Sequence, residues 1–223
     1  MLVAVYQVVG NNDMMGREAK AVVACDADPI YRWLGEIYIA VAAVGSTQPA
    51  DAGHLAEQYR AEPTRQGYGL LALGYTMIAA MAKIIDGHVI RGLRDLAAVR
   101  ETAARSGDLS ACASIDFNIA RAYVLLASGD LAISKVKNPG LLMLLPVAAR
   151  KGRAQLEEIN KTLVEHDMKG LIPAVEYQLG LVSKHQHRSK EARSHLNAVQ
   201  DMLSAEPHAF LRHEALKALA ELS

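Results

Sequence analysis

Three histidines and a glutamate lie close together near the end of the chain, in a combination that could bind a metal. His185, His187, Glu191 and His195 fall within eleven residues, and the last two are spaced i, i+4, which places them on one helix face. Imidazoles with a carboxylate are ligands for Zn²⁺ or Ni²⁺. The same stretch is rich in lysine and arginine, whose positive charges oppose a bound cation. We therefore predict that these side chains are solvated and that the chain holds no metal.

Motifs that carry catalysis or bind phosphate are absent from the sequence. It has no GxxxxGK[ST] phosphate loop, no HExxH zinc motif, no GxSxG nucleophile elbow and no glycine-rich loop after a strand. No set of titratable residues has a spacing that would bring it together in one cleft. The sequence therefore predicts a protein that is not an enzyme and that uses no cofactor.

Composition limits the kinds of partner. The 24 basic and 24 acidic residues cancel, so no overall field draws the chain to nucleic acid or to an anionic membrane. Apolar residues make up 51% of the chain but aromatic residues only 5%, which favours a large aliphatic core. Cys25 and Cys112 are isolated thiols, as in a reducing compartment. We expect a cytoplasmic protein that recognises a partner locally.

Two apolar segments are long enough to be considered as targeting or membrane segments. Met1–Val9 has neither the positively charged start nor the small-residue cleavage site of a signal peptide. Gln66–Ala82 is free of charge but shorter than the roughly 20 residues of a spanning helix. We predict that both segments pack as helices and that the chain does not enter a membrane.

A recurring helix-face pattern predicts the elements that must position any functional side chain. Large and very small residues occur at i, i+3, i+4 and i+7, so each set forms one stripe of a helix with a notch in it. The stripes are Tyr31, Leu34, Gly35 and Tyr38; Leu70, Leu73, Gly74 and Met77; Asp116, Ile119, Ala120 and Tyr123; and Glu176, Leu179, Gly180 and Ser183. Because a notch allows a neighbouring helix to approach closely, these stripes predict stacked helical hairpins.

Turn-forming residues divide the chain between these helices. The predicted breaks are Gly10–Asp13, Asp26–Pro29, Gly45–Pro49, Glu62–Pro63, Asp86–Gly87, Ser106–Asp108, Ser128–Asp130, Asn138–Gly140, Lys169–Gly170, His185–Arg188 and Glu206–Pro207. Most notched helices are followed by a second helix, as at Gly92, Leu96 and Val99. A further helix pair is predicted between Leu141 and Met168. Residues 207–222 have one apolar and one charged face, which predicts a capping helix.

Two of these patterns resemble the tetratricopeptide repeat (TPR). They are the run Glu176, Leu179, Gly180, Ala192, Leu196 and Val199, and the set Tyr31, Leu34, Gly35 and Tyr38. The resemblance covers most of the chain from about Asp28 onward. It implies an all-α fold, a right-handed α-α superhelix of about five irregular helix pairs, in one domain over residues 1–223. The final repeats also resemble the TPR regions of multidomain bacterial signalling proteins, next to a kinase, a nucleotide cyclase or a winged-helix regulator.

The resemblance also implies a concave groove, lined by residues that point away from the notches. Its positions are Arg32, Glu36, Ile39, Leu71, Tyr75, Ile78, Phe117, Arg121, Val124, Tyr177, Leu181 and Lys184. The family's Lys, Asn and Arg set for a C-terminal carboxylate is missing, although Arg32, Asn118 and Arg121 partly match it. The groove aromatics are expected to take an apolar peptide or helix. The alternative is that they pack between neighbouring helices.

The function implied is a protein-interaction module, a scaffold or a sensor, in bacterial signalling or regulation. One alternative is a sensor of a small ligand or peptide signal, in which binding shifts the helices between two curvatures. Another is a structural homo-oligomer that assembles through Met1–Val9. A third is that the chain is a fragment of a larger signalling enzyme or transcription regulator.

Overall fold

The computed structural model of this chain describes residues 12–25, 28–44, 49–129, 131, 141, 143–206 and 209–222. Within these ranges all regular structure is helical and no strand occurs. The α-helices are α1 Asn12–Ala24, α2 Pro29–Val44, α3 Pro49–Arg65, α4 Gly69–Ile85, α5 Val89–Arg105, α6 Leu109–Ser128, α7 Leu145–Glu165, α8 Ile172–His185, α9 Ser189–Met202 and α10 Phe210–Ala220. A short 3₁₀ helix, Lys169–Leu171, precedes α8. The predicted all-α fold is confirmed.

The helices form two compact units. Unit 1, residues 1–101, contains α1–α4 and most of α5, and unit 2, residues 102–223, contains the end of α5 and α6–α10. In unit 1, α1 packs on α2, and α2 and α4 both pack on α3. In unit 2, α6 packs on α7, α7 on α8, α8 on α9 and α9 on α10. Helices that follow one another therefore pair, as in stacked hairpins.

Five helix ends in the described chain share one turn geometry. The residue with a left-handed backbone is Gly67, Gly87, Gly107, Asp167 or His187. In each turn the next amide donates to the carbonyl five residues earlier, as His88 does to Lys83 at 2.8 Å and Arg188 does to Ser183 at 2.9 Å. This bond satisfies a carbonyl that the helix end would leave unpaired. Positions 67, 87 and 107 are twenty residues apart, as are 167 and 187, so helix and turn recur with a period of twenty.

Glycines set how closely some helices approach. A Cβ atom on Gly35 would lie 2.9 Å from Cγ2 of Val23 in α1, and one on Gly180 would lie 2.7 Å from Cγ of Leu196 in α9. The notches predicted at these two positions are confirmed. The notch predicted at Gly74 is wrong, because a Cβ there would lie 3.7 Å from its nearest neighbour, an ordinary contact.

Two predicted boundaries are also wrong. Pro63 lies inside α3, where it is close enough to the end at Arg65 that its missing amide affects only the last turn. The helix pair predicted between Leu141 and Met168 is one continuous helix, α7. Ala148 and Leu156 are eight residues apart, so they share one face of that helix, and both are fully buried.

One described helix, α6, is long and apolar enough to cross a membrane by length and composition. Seven of its residues are buried, Ile115, Val124 and Leu126 among them. Its Ala120 and Val124 pack in the unit 2 core with side chains of α7 and α8. This is the burial expected of a core helix. The segment Met1–Val9, for which helix packing is predicted, lies outside the described residues.

Candidate partner-binding site

Tyr75 and Ile78, two predicted groove residues of α4, lie in the core of unit 1. Tyr75 is 0% exposed and Ile78 is 6% exposed. The Tyr75 hydroxyl donates to the Trp33 carbonyl oxygen at 2.8 Å and also lies 3.2 Å from Glu36 Oε2. Its ring centroid is 6.4 Å from that of Tyr59. Tyr75 therefore packs between helices, as the alternative for the groove aromatics describes, and it presents no surface to a partner.

Arg32 and Glu36, the groove residues predicted on α2, are partly buried. Arg32 pairs with Glu62 of α3, with Nη2 and Oε2 3.2 Å apart. Burial raises the pKa of Glu36, and the hydrogen bond from Tyr75 and the charge of Arg32 oppose this only in part. Burial, together with the nearby Glu36 carboxylate, also raises the pKa of Tyr75. Unit 1 thus holds a polar cluster joined by an ion pair and hydrogen bonds, in which the buried Nε atom of Arg32 has no hydrogen-bond partner among the described residues.

Arg121 on α6 of unit 2 is in a different situation. It is partly buried, and desolvation lowers the pKa of its guanidinium. The group that opposes this is Tyr177 on α8, whose hydroxyl favours the charged form. Among the described residues, no hydrogen bond or ion pair joins the Arg121 guanidinium to another side chain. Arg121 is therefore a partly buried cation with which no described side chain forms an ion pair.

Phe117 and Asn118 lie one helical turn before Arg121 on α6. Phe117 is partly buried and packs against the aliphatic core of unit 2. The Asn118 side-chain amide donates to the Ser114 carbonyl oxygen of its own helix at 2.8 Å. Phe117, Asn118 and Arg121 of α6, with Tyr177 of α8, form what is called here the Arg121 face.

The predicted groove positions of α8 lie against the terminal helix. Tyr177 and Leu181 pack on a cluster that includes Leu196 of α9 and Ala215 of α10. Lys184 forms an ion pair with Glu221, directly after α10. Lys184, predicted to meet a partner, therefore has an internal carboxylate.

The histidine-rich stretch does not converge on one point. His195 Nδ1 lies 2.7 Å from Oε2 of Glu176, and Asn160 Nδ2 donates to the other oxygen of that carboxylate at 2.7 Å. Glu191 instead pairs with Arg153 of α7 at 2.8 Å. Among residues 12–222, where described, no three His, Cys, Asp or Glu side chains are placed to hold a metal ion.

Comparison with known proteins gives a likeness of fold. No family model matches the chain, and no curated protein matches it. A crystal structure of nearly identical TPR-like repeats, from a protein named as a kinesin light chain of Podospora anserina, superposes with a TM-score of 0.51. The match covers 92% of both chains at 17% sequence identity. The chain has a TPR-like repeat fold. At this identity the likeness concerns architecture and does not extend to ligands.

The TPR-like repeat brings together only part of the predicted groove. Within unit 2 the α6 residues and Tyr177 are adjacent, whereas within unit 1 the predicted residues are buried or paired. Sequence reasoning missed two partners, Glu62 of Arg32 and Glu221 of Lys184. Each lies at least 30 residues from its arginine or lysine, so no local spacing could have indicated the pair.

Replacing Glu36 by glutamine should change how stability depends on pH. Because its pKa is raised in the folded state, the folded chain binds more protons here than the unfolded chain. The contribution of Glu36 to the stability of the fold therefore falls as the pH rises from 4.5, the ordinary pKa of a glutamate, through the folded-state pKa. It stays lowered at neutral pH. We expect this decrease in stability with rising pH to be absent from the Glu36→Gln variant. The test is the free energy of unfolding in urea, measured at pH 4, 5, 6 and 7 so that the series brackets the pH range of the expected decrease.

The exposed Glu158 on α7 provides the control, because glutamine there leaves the unit 1 cluster intact. A Glu36→Gln variant whose stability followed that of the wild type at every pH would show that burial of this carboxyl has no energetic consequence.

Proposed function

We propose that this TPR-like repeat chain is a protein-interaction module of a bacterial signalling or regulatory system, and that the Arg121 face holds a peptide or helix of its partner. Helical repeats generally bind other proteins across the surface of their stacked helices, which supports the broad part of the proposal. We assign the module to the cytoplasm and give it no catalytic role.

The unpaired charge of Arg121 is the observation that carries the proposal. A partly buried cation costs stability unless an anion or several hydrogen bonds offset the lost hydration. No described side chain supplies that anion. Arg121 is only partly buried, so its guanidinium can pair with an anionic group of a partner. Phe117, one turn away, adds an aromatic side chain of the kind that dominates affinity in peptide grooves.

The Arg121→Met variant tests the proposal, because methionine keeps much of the apolar stem and removes the charge. We expect a thermal midpoint within a few degrees of the wild-type value, since no described ion pair is lost. Capture of the partner from a bacterial lysate should fall at least about tenfold. Differential scanning fluorimetry and quantitative mass spectrometry of the captured proteins give the two readouts.

Arg150→Met is the matched control, because Arg150 is exposed on α7. It should leave both the midpoint and the capture at wild-type values. If Arg121→Met lowered the midpoint by several degrees, or captured the same partner as the wild type, the charge would serve the fold and the proposal would fail.

A cleft in unit 2 favours a second candidate, a small-ligand sensor. Its volume is about 300 Å³, and it lies between the start of α6 and the residues before α8. Ser110, Ser114 and Lys169 give it polar atoms, and leucine and methionine side chains give it apolar walls. This mixture and size are those of small-molecule sites. A thermal-shift screen of metabolites tests it, and a ligand of this cleft should lose its effect in Ser114→Leu.

A further inference from the structure

The cleft in unit 2 presents polar side chains from two of its elements. Ser110 and Ser114 lie four residues apart on α6, so they share one face of that helix, and Lys169 belongs to the 3₁₀ helix before α8. Among the described hydrogen bonds, none uses either serine hydroxyl, because the Asn118 amide donates to the Ser114 carbonyl oxygen instead. Both hydroxyls can therefore donate to a bound molecule.

The rest of the cleft is aliphatic and belongs to the core of unit 2. Leu163, at the end of α7, is 1% exposed, and Met168 and Leu171 pack against the same core cluster. Gly170 also lines the cleft, and a Cβ atom there would meet nothing within 4 Å. An aliphatic chain can therefore enter beside Gly170 and cover apolar surface that water now contacts.

The charge of the cleft indicates which head group fits. Among the described residues that line it, Lys169 is the one with a charged side chain. Its ammonium lies 3.0 Å from the Asp167 carboxylate, but both side chains are 80% exposed, and so exposed an ion pair is weak enough to be exchanged. The Asp108 carboxylate is engaged, since it accepts from the Ala111 amide at 2.8 Å. One cation and two hydroxyl donors match a single carboxylate.

We propose that the cleft of unit 2 binds a free aliphatic monocarboxylate, with its head group held by Ser110, Ser114 and Lys169 and its chain against the aliphatic wall. The proposal rests on the small-ligand candidate of the proposed function and adds the chemical class of the ligand. At roughly 30 Å³ for each non-hydrogen atom, as in liquid water, the cleft volume of about 300 Å³ holds about ten atoms. Octanoate has that size, so the whole molecule fits.

Isothermal titration calorimetry of the whole chain with octanoate, octan-1-ol and octylamine tests the proposal, each below the concentration at which it aggregates. Octanoate should bind at least about fivefold more tightly than octan-1-ol, because only the acid forms charge-assisted hydrogen bonds with both serines. Octylamine should bind more weakly still, since Lys169 repels it. Added salt should weaken the binding of octanoate.

Two variants locate the site. Lys169→Glu should weaken octanoate binding at least about tenfold, because the charge at the head group is reversed. Lys190→Glu is its matched control, since Lys190 is an exposed lysine of α9 that does not line the cleft, and it should bind octanoate like the wild type. Gly170→Leu should abolish binding by filling the cleft, with little change in the thermal midpoint, because its Cβ meets open space.

The outcomes separate this proposal from the small-ligand candidate. Octan-1-ol that bound as tightly as octanoate would overturn the carboxylate and leave an apolar ligand cleft standing. Octanoate binding that persisted in Gly170→Leu would place the ligand elsewhere and overturn the proposal.

A third outcome is that none of the three probes binds. If a metabolite of another class then stabilised the wild type but not Ser114→Leu, the proposal would fail and the small-ligand candidate would stand. If no metabolite did so, both would fail. The comparison of the three probes uses the unmodified chain, so the test remains valid even if a variant fails to fold.

Discussion

Replacing Gly92 by alanine should lower the free energy of unfolding by about 3 kcal/mol. Gly92 is on α5, and a Cβ atom there would lie 2.5 Å from Ile84 Cγ1 and 2.6 Å from the Ala80 carbonyl oxygen of α4. The isoleucine could rotate, but the carbonyl belongs to the backbone of a helix and cannot. The two helices would therefore have to separate, which opens space between apolar side chains along the contact.

The Gly74→Ala variant is the matched control. Gly74 is also inside a helix of unit 1, but a Cβ there would lie 3.7 Å from Ile37 Cδ1, an ordinary contact. Alanine should therefore raise stability by about 0.5–1 kcal/mol through its better helix propensity. Urea unfolding followed by circular dichroism compares the two variants. Equal stabilities would show that α4 and α5 do not approach as closely as described.

The second large effect is expected at Tyr75. The Tyr75→Ala variant should lose about 4 kcal/mol, because a fully buried aromatic ring leaves a cavity that the neighbouring helices cannot fill. Tyr75→Phe keeps the ring and removes only the hydroxyl that donates to the Trp33 carbonyl oxygen. That change should cost about 1–2 kcal/mol. The difference between the two variants measures the ring separately from its hydrogen bond.

Phe117→Ala provides the contrast, since this ring is partly exposed and less contact is lost. We expect a loss of about 1–2 kcal/mol, with a larger effect on binding than at Tyr75→Phe. Chemical denaturation and peptide binding on the same preparations decide between core and groove. A stable, well-folded Tyr75→Ala variant that loses partner binding would show that Tyr75 belongs to the partner-binding groove.

Much of the architecture could be predicted from the sequence, because helix periodicity and turn residues are local signals. The notches at Gly35 and Gly180 meet α1 and α9 as a stripe with a notch requires. Gly92 was not predicted as a point of close approach. It lacks the large-small stripe, and its role depends on the Ala80 carbonyl oxygen of another helix, which no spacing within α5 reveals.

The candidate site was harder to predict for the same reason. Tyr75 and Arg121 occupy equivalent positions, each directly after the small residue of its stripe. The first is buried beneath α2 and α3, and the second is only partly buried. Which one remains available depends on the neighbouring helices. Residue type and position alone therefore predicted both as groove residues.

The turns at Gly67, Gly87 and Gly107 also affect the rate at which the chain folds. Each turn closes between near neighbours in sequence, so no long loop must be ordered first. Helical proteins with mostly local contacts fold faster than proteins whose contacts are mostly between distant residues. The same local closure lets hairpins open separately, and amide hydrogen exchange should therefore divide the chain into several cooperative blocks.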